Sequence, residues 1–473
     1  MFDEITPPRK SPDSTRRVTV NSESELTTQR ELNRSESIHY HQILDTLLSS
    51  APYMEASAGR EWDQISSEDE YQPVFSRPLS HFDRDRHLAY LEMMYQMLPH
   101  HYQKQEINRI TLAHFAISGL QLLGALDRVD KEAVSNWVLS LQAHPRNEAD
   151  LNSGMALVTK KFESDCLELD AIVCGELYGF HGSRSSQFPP DDNGVLTHNG
   201  SHLASTFCAL AILKAVGYSF ANIDRVSILT SMKNLQQPDG SFMPIHCGAE
   251  MDLRFVYCAA AICHMLEDWS GMDREKAKDY ILNCQSYDGG FGLIPGSESH
   301  GKLKQVFIFL YSQYSIHFDY ISNGICLSGT GGGTYCAVAS LRLMGFIEDD
   351  VLSKSVSSSV INLPLLLNWC LQRQEDDGGF QGRANKPSDT CYAFWIGAVL
   401  RILGGYKFID TEALRGFLLT CQSQYGGFSK YPGELPDLYH SYYGYTAFSL
   451  LEEPGLNPLC PELGMTDFST WGI

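Results

Sequence analysis

A short turn motif recurs along the chain and constrains its fold more than any other feature. Each full copy follows an amphipathic helical stretch, contains a glycine and ends in Phe. Glycine ends a helix and adopts the positive φ that a tight turn needs, while the Phe anchors the loop. The copies read LQQPDGSF (235–242), CQSYDGGF (284–291), RQEDDGGF (373–380) and CQSQYGGF (421–428), with a weaker one at SLQAHP (140–145).

A second type of helix follows each turn, and it is apolar on nearly every side. Such a helix is buried on most of its surface. Repetition of outer helix, turn and inner helix about every 50 residues is typical of stacked helical units. We therefore predict an all-α fold, an α/α toroid (α6/α6 barrel), in preference to an open solenoid. The predicted inner helices span 205–217, 255–266, 334–345, 391–405 and 441–453.

Charge and cysteine usage exclude several classes of protein. The 473 residues carry a formal net charge of −21, which argues against nucleic-acid binding and against a basic membrane-surface protein. The 13 cysteines show no compact framework spacing, so we expect reduced, buried thiols. The N-terminus lacks an apolar secretory segment, and no apolar run approaches the ~20 residues of a membrane span. These features predict a cytoplasmic protein.

The repeat also predicts the domain organisation. Residues 1–80 are rich in Ser, Arg, Glu and Pro, so we expect a disordered extension before an α/α barrel domain over 81–473. The aromatic residues that open the inner helices are evenly spaced, except that about 29 extra residues separate two of them. The excess predicts a foreign insertion at 302–330, either a retained intron or a genuine insertion. A similar stretch is predicted near 155–176.

Three side chains at the starts of two inner helices form a candidate metal site. Asp389 and Cys391 lie two residues apart, and His440 opens the next inner helix. In a toroid all three can point into the central cavity. An Asp, Cys and His set with one open position is typical of a catalytic zinc site and suits zinc better than magnesium or calcium. The alternatives are a chance Asp-x-Cys pair and a core histidine hydrogen-bonded to backbone.

A set of cations occupies one place in the repeat, just before or at the start of an inner helix. It comprises Arg254, His300, Arg383 and Lys386. Helix N-termini also favour anions, so a rim of this kind would bind an anionic ligand such as a diphosphate. The alternative is a series of separate salt bridges.

Aromatic residues are frequent on the predicted inner helices. Ordinary core packing is one interpretation. An apolar cavity beside a cationic rim would instead suit a long hydrocarbon with a charged head. The residues are Phe207, Tyr257, Tyr392, Trp395, Tyr442 and Tyr443.

Four motifs together resemble the β subunits of the protein prenyltransferases. They are DLRFVYCAA (252–260), ESHG (298–301), QGRANKPSDTCYAFW (381–395) and PDLYHSYYG (436–444), and they occur in the order typical of that family. The resemblance covers nearly all of 85–460 apart from the two odd stretches. The stretches LLNWCLQRQ (366–374) and GELPDLYHSYYGYTAFSLLEE (433–453) look most like the plant branch. The resemblance implies an α/α barrel.

The resemblance also assigns roles to individual residues. It implies one zinc ion held by Asp389, Cys391 and His440. Arg254 would lie near both the lipid and its diphosphate, and Trp395 would line the lipid pocket. The residues that would hold the diphosphate group are His300, Gly301, Arg383, Lys386 and Tyr392.

Two positions distinguish branches of this family. The resemblance places Thr111 where farnesyl-transferring members carry a Trp that shortens the lipid pocket. It places Lys430 where they have an Asp for magnesium. The resemblance therefore implies the type I geranylgeranyl branch, with a C20 lipid and catalysis that needs no magnesium. The alternative is a farnesyl-transferring β subunit.

The family resemblance finally implies a reaction and partners. The substrates would be geranylgeranyl diphosphate and proteins ending in Cys-a-a-X, with X mainly Leu, such as small GTPases. His300, Lys386, Tyr392 and Lys430 would stabilise charge on the departing diphosphate. Members of the family act as heterodimers with a helical α subunit. The remaining alternative is an inactive, α-binding chain caused by the insertion at 302–330.

Overall fold

Twelve α-helices alternate between an outer and an inner layer in the part of the chain that the structure describes. The computed structural model describes residues 81–145, 177–187, 200–246, 249–297, 330–348 and 360–467, which all belong to the unit Asp69–Ile473. The outer helices are α1 (Arg84–Gln96), α3 (Lys131–Leu139), α5 (Arg225–Lys233), α7 (Arg274–Asn283), α9 (Leu363–Leu371) and α11 (Thr411–Cys421). The inner helices are α2 (Arg109–Leu122), α4 (Leu203–Ala215), α6 (Leu253–Met265), α8 (Thr330–Leu343), α10 (Thr390–Leu403) and α12 (Leu438–Leu450).

The inner helices close into a ring. In chain order α2 packs against α4, α4 against α6, α6 against α8, α8 against α10 and α10 against α12, and α12 returns to α2. Nearly every residue of α4 and α10 is buried, as expected of helices surrounded by others. The predicted α/α toroid is therefore confirmed.

One inner helix was not identified from the repeat. Helix α2 follows a 3-10 segment at His100–Asn108 rather than a Gly-Phe turn, and His114, Ser118 and Gln121 interrupt its apolar pattern. The five predicted inner helices are all present, but most begin a few residues before the predicted position. Further 3-10 segments lie at Leu126–Arg128, Arg184–Ser186, Phe220–Asn222 and Tyr406–Phe408.

Each outer helix begins with the same kind of cap. The N-cap side chain accepts a hydrogen bond from a backbone N–H in the first turn, which satisfies a donor that the helix itself cannot. This explains why short outer helices, such as the nine residues of α5 and α9, form at these positions. The caps are Asp83, Asp130, Asp224, Asp273, Asn362 and Asp410.

The glutamine of each turn motif connects one repeat to the next. Gln374 accepts a bond from the backbone N–H of Asp410 at 2.9 Å and donates to its carbonyl at 2.8 Å. Gln236 makes the same pair of bonds with Asp273. We call this contact between a turn glutamine and the next N-cap residue the glutamine clasp. The last one, from Gln422 to the N–H of Asp83 at 3.0 Å, joins the two ends of the ring.

The Phe of each turn motif is fully buried and pairs in a short bridge with the glutamine of the same turn. The weaker copy at 140–145 behaves in the same way, because Gln142 bridges to Phe180 across a long intervening segment. This pairing confirms the weaker copy as a member of the repeat. The turn phenylalanines are Phe180, Phe242, Phe291, Phe380 and Phe428.

The chain then closes one side of the ring with a small antiparallel strand pair, β1 (Leu459–Cys460) and β2 (Met465–Thr466). The sequence did not predict these strands. Among the described residues, no helix is both long and apolar enough to cross a bilayer.

Several predictions fall on parts of the chain outside the described residues. They are the disordered extension over 1–80, the stretch near 155–176, and the insertion at 302–330 except for its last residue. That residue, Thr330, is the first residue of inner helix α8. The candidate ligands His300 and Gly301 also lie outside the described residues.

Candidate metal centre and adjoining cavity

Asp389 and Cys391 are brought together by helix capping. Asp389 is the N-cap of α10, and its Oδ1 accepts a hydrogen bond from the backbone N–H of Cys391 at 2.9 Å. Both residues are buried. The cap therefore fixes the carboxylate beside the thiol, at the point where α10 enters the ring.

His440 is held by the cap of the neighbouring inner helix. Asp437 is the N-cap of α12, and its Oδ2 lies 2.6 Å from His440 Nδ1. Burial would lower the pKa of His440, but the Asp437 carboxylate, together with that of Asp389, outweighs burial and raises this pKa. The bond to Nδ1 orients the imidazole and leaves Nε2 to face Asp389 Oδ1, 3.5 Å away.

One oxygen, one sulfur and one nitrogen atom converge where α10 and α12 begin. The candidate ligand atoms of Asp389, Cys391 and His440 all lie within 4.8 Å of one another. A carboxylate, a thiol and an imidazole oriented through its other nitrogen form a donor set that fits zinc. Three protein ligands would also leave a fourth position open. The three predicted ligands are thus close enough to hold one metal ion.

Lys430 lies beside this cluster. Its Nζ is 3.9 Å from Asp389 Oδ2, and its carbonyl accepts a bond from the N–H of Thr390. Burial lowers the pKa of Lys430, but the nearby Asp389 carboxylate more than compensates, so this pKa is raised. Lys430 therefore carries a positive charge next to the cluster.

The loop before α10 carries two of the predicted diphosphate ligands. Arg383 is half-buried and Lys386 is exposed. Tyr392 packs against this loop, because a Cβ added at Gly382 would lie 2.4 Å from the Tyr392 hydroxyl oxygen. Glycine at 382 permits this close approach.

Arg254 forms ion pairs with two neighbouring carboxylates, and its predicted place near the lipid and the diphosphate stays a prediction. Its guanidinium is buried and forms an ion pair with Asp252, at 2.6 Å, and with Glu250, at 3.2 Å. Asp252 is also the N-cap of α6. Arg254 is not among the side chains that line the apolar cavity inside the ring. These contacts agree with the salt-bridge interpretation of this cation.

The apolar cavity inside the ring adjoins the metal cluster. Trp395 is one helical turn beyond Cys391, and Tyr443 is three residues beyond His440, so both project on the same helix faces as the cluster. The indole N–H of Trp395 donates to the hydroxyl of Tyr439, whose ring contacts that of His440 at 4.9 Å. The lining of the cavity includes Thr111, Phe115, Phe207, Tyr257, Tyr335, Phe394, Trp395, Tyr442, Tyr443, Leu463 and Gly464.

Two groups of residues at this site were not predicted from the sequence. Asp437 belongs to the motif PDLYHSYYG (436–444), and an Asp three residues before a candidate ligand at a helix start is a signal that could have identified it. Leu463 and Gly464 line the cavity from a distant turn, and no local pattern in the sequence marks them.

The fold agrees with what comparisons with known proteins show. The family profile described as the prenyltransferase α/α toroid domain matches residues 82–308 and 321–465. The chain belongs to this prenyltransferase family. The unmatched residues 309–320 lie within the stretch 302–330, whose origin stays a prediction.

Individual relatives indicate which prenyltransferase subunit the chain resembles. The chain is 63% identical over 406 residues to the geranylgeranyl transferase type-1 subunit β of Arabidopsis thaliana, which covers 86% of this chain and 95% of the relative. It is 32% identical to the protein of the same name from Dictyostelium discoideum, covering 78% of this chain and 91% of the relative. The predicted family, prenyltransferase class and likeness to type I β subunits are confirmed.

A solved structure supports the fold independently. Candida albicans protein geranylgeranyltransferase-I complexed with GGPP matches with a TM-score of 0.60 at 22% identity, and the match covers 82% of this chain and 97% of that one. At this identity the likeness concerns the fold alone.

Proposed function

We propose that this chain is the catalytic β subunit of a type I protein geranylgeranyltransferase. It would transfer a geranylgeranyl group from its diphosphate to the cysteine of proteins ending in Cys-a-a-X, with X mainly Leu. The observation that carries the proposal is the cluster of Asp389, Cys391 and His440 beside an aromatic cavity. The name of the Arabidopsis relative supports the choice of lipid.

The cluster would hold one zinc ion. Zinc bound there would supply a Lewis acid that keeps a substrate thiol ionised at neutral pH. Asp389, Cys391 and His440 would provide the ligands, and Asp437 would orient His440 through the bond to Nδ1. The neighbouring cavity would hold the hydrocarbon, because aromatic rings form most of its lining.

Cations near the cluster would bind and stabilise the diphosphate. Thiolate attack at C1 of the lipid forms the carbon–sulfur bond and breaks the bond to the diphosphate, which leaves with additional negative charge. Lys430 stands beside the cluster, and Arg383, Lys386 and Tyr392 belong to the adjacent loop and helix start. We propose that Lys430 replaces a magnesium ion here. His300 and Gly301 stay predicted ligands.

The active form would be a heterodimer with an α subunit. The name of the Arabidopsis relative, a subunit β, supports such a partner. The partner and the Cys-a-a-X proteins are part of the proposal, and so is a cytoplasmic location.

The test is zinc content and transfer by the chain co-expressed with an α subunit. We expect about one zinc per heterodimer and transfer of geranylgeranyl to a Cys-a-a-Leu peptide without added magnesium. Cys391→Ala and His440→Ala should each lose the zinc and at least about a hundredfold in transfer. The matched control is Cys370→Ala, which removes a buried thiol from outer helix α9 and should keep the zinc.

Other outcomes would be equally clear. Full zinc content in both ligand variants would refute the ligand assignment. Preference for farnesyl diphosphate and a Cys-a-a-Ser peptide, with dependence on magnesium, would establish the farnesyl alternative. Transfer only after removal of residues 302–329, which spares the start of α8, would show that the insertion inactivates this chain.

A further inference from the structure

The turn between strands β1 and β2 forms the floor of the cavity. Leu463 and Gly464 belong to this turn, residues 461–464, which we call the floor turn, and both line the cavity. A Cβ added at Gly464 would lie 3.0 Å from Cζ of Phe394, so the turn touches the aromatic wall. The floor turn thus belongs to the binding space, although it is far in sequence from most of the cavity lining.

Three tyrosines of the cavity wall hold the floor turn in place. The hydroxyl of Tyr335 donates to the carbonyls of residues 461 and 462, each at 3.0 Å, and that of Tyr257 to the carbonyl of residue 462 at 3.1 Å. The hydroxyl of Tyr442 donates to the carbonyl of Gly464. Their hydroxyl groups are used by the turn, which leaves the ring faces to the cavity.

An ion pair adds to this attachment. Nε of Arg342, near the end of α8, lies 3.3 Å from Oε1 of Glu462. The floor turn is therefore tied to α6, α8 and α12, and its position follows from the walls.

Leu463 separates the cavity from a second cleft. The cleft is lined by Leu463 and by Lys214, His264, Glu267 and Trp269. Lys214 and His264 belong to the last turns of α4 and α6, whereas the metal cluster lies where α10 and α12 begin. Leu463, 6% exposed, lines both spaces and therefore lies between them.

We propose that Leu463 sets the maximum length of the prenyl chain, because the end of the hydrocarbon farthest from the diphosphate rests on it. The inference depends on the proposed function. It concerns the depth of the cavity, whereas Thr111 lies on the wall, with its hydroxyl 3.8 Å from the Cys208 sulfur.

Variants of opposite size test the role of Leu463. Leu463→Ala should open the cavity into the second cleft and raise the ratio of kcat/KM for a C25 prenyl diphosphate over the C20 substrate by about tenfold or more. Leu463→Phe should fill the floor and shift the ratio of C20 to C15 by a similar factor towards C15. The assay uses the assembled heterodimer and a Cys-a-a-Leu peptide with C15, C20 and C25 diphosphates.

The matched control removes volume from the cleft side alone. Thr466 lines the cleft but not the cavity, and within the described residues its buried hydroxyl has no hydrogen-bond partner. Thr466→Ala should therefore leave the length profile unchanged. If Leu463→Ala assembles poorly, Leu463→Val takes its place in the assay. It removes less volume than Leu463→Ala and should shift the length profile in the same direction.

The assay distinguishes failure of the proposed function from failure of the proposal that Leu463 sets the chain length. If the unmodified heterodimer transfers no prenyl group, the proposed function is wrong. If it transfers C20 but both size-changing variants keep its length profile, Leu463 does not set the length and only this inference is overturned. A profile that changes equally in Thr466→Ala would also overturn it.

Discussion

Two N-cap carboxylates build the candidate metal centre. Asp389 and Asp437 each accept the N–H of a residue in the first turn of their own helix, and each also contacts His440. Because the cap bond fixes the carboxylate, the second contact is made with little further loss of side-chain freedom. The geometry of the cluster therefore depends on how α10 and α12 begin.

The role of Asp437 gives a prediction at this scale. Asp437→Asn keeps a capping oxygen but removes the negative charge from His440 Nδ1, so zinc affinity should fall about 10- to 100-fold with little loss of stability. Competition with a coloured chelator measures it. Asp410→Asn is the matched control, because Asp410 caps outer helix α11 by the same kind of bond. Equal affinities of Asp437→Asn and the unmodified chain would contradict the role.

The turn glycines determine how closely one repeat packs on the next. Gly378 has φ +86°, and a Cβ there would lie 2.2 Å from the carbonyl oxygen of Ala413 in α11. Gly426 meets the carbonyl of Arg86 in α1 in the same way. Neither position accepts a side chain, because both the backbone conformation and the space exclude it.

This packing predicts a contrast between two glycines of neighbouring elements. Gly378→Ala should lower the free energy of unfolding by about 2–4 kcal/mol, from the positive φ and the contact with Ala413. Gly416→Ala, at an exposed position inside α11 with nothing near the added Cβ, should raise it by up to about 1 kcal/mol. Thermal unfolding of the heterodimer compares them. Similar melting temperatures for the two variants would contradict the close packing.

At the level of elements, the sequence predicted those helices and turns that regular residue spacing marks. Apolar inner helices and amphipathic outer helices follow from residue spacing, and so do the turns between them. Helix α2 was not predicted as an inner helix, because its polar residues break the apolar pattern and no Gly-Phe turn precedes it. Strands β1 and β2 have two residues each, too short to show any alternation.

Three histidines buried in the ring make the whole molecule sensitive to acid. Burial lowers the pKa of His87, His114 and His202 from 6.5 to about 4. They come from α1, α2 and the N-cap of α4. Above pH 6.5 folded and unfolded chains both keep them neutral, so they cause no pH dependence there.

Below pH 6.5 the unfolded chain binds protons that the folded chain does not. The free energy of unfolding should therefore fall between pH 6.5 and 4, by at most about 3 kcal/mol for each histidine. Unfolding followed across this range should show a smaller slope for His87→Gln than for the unmodified chain. His144→Gln, which changes an exposed histidine, should keep the original slope. An unchanged slope in His87→Gln would contradict the prediction.

The site was only partly predictable because it is assembled across the whole ring. Asp389, Cys391 and His440 stand at equivalent places in adjacent repeats, so the repeat alone brings them together. Arg254 stands at a comparable place, and Asp252, two residues before it, binds its guanidinium. Local spacing places a residue on an element, but competing partners from the surroundings decide which way its side chain turns.

Closure of the ring by the last glutamine clasp has a consequence for synthesis. Asp83 and Gln422 are 339 positions apart. At common elongation rates a ribosome takes roughly 20 to 70 s to cover that distance. For this time α1 and α2 have been made but lack their neighbours from the end of the chain. An apolar side of the nascent chain would thus stay uncovered until the residues that pack against it are synthesised.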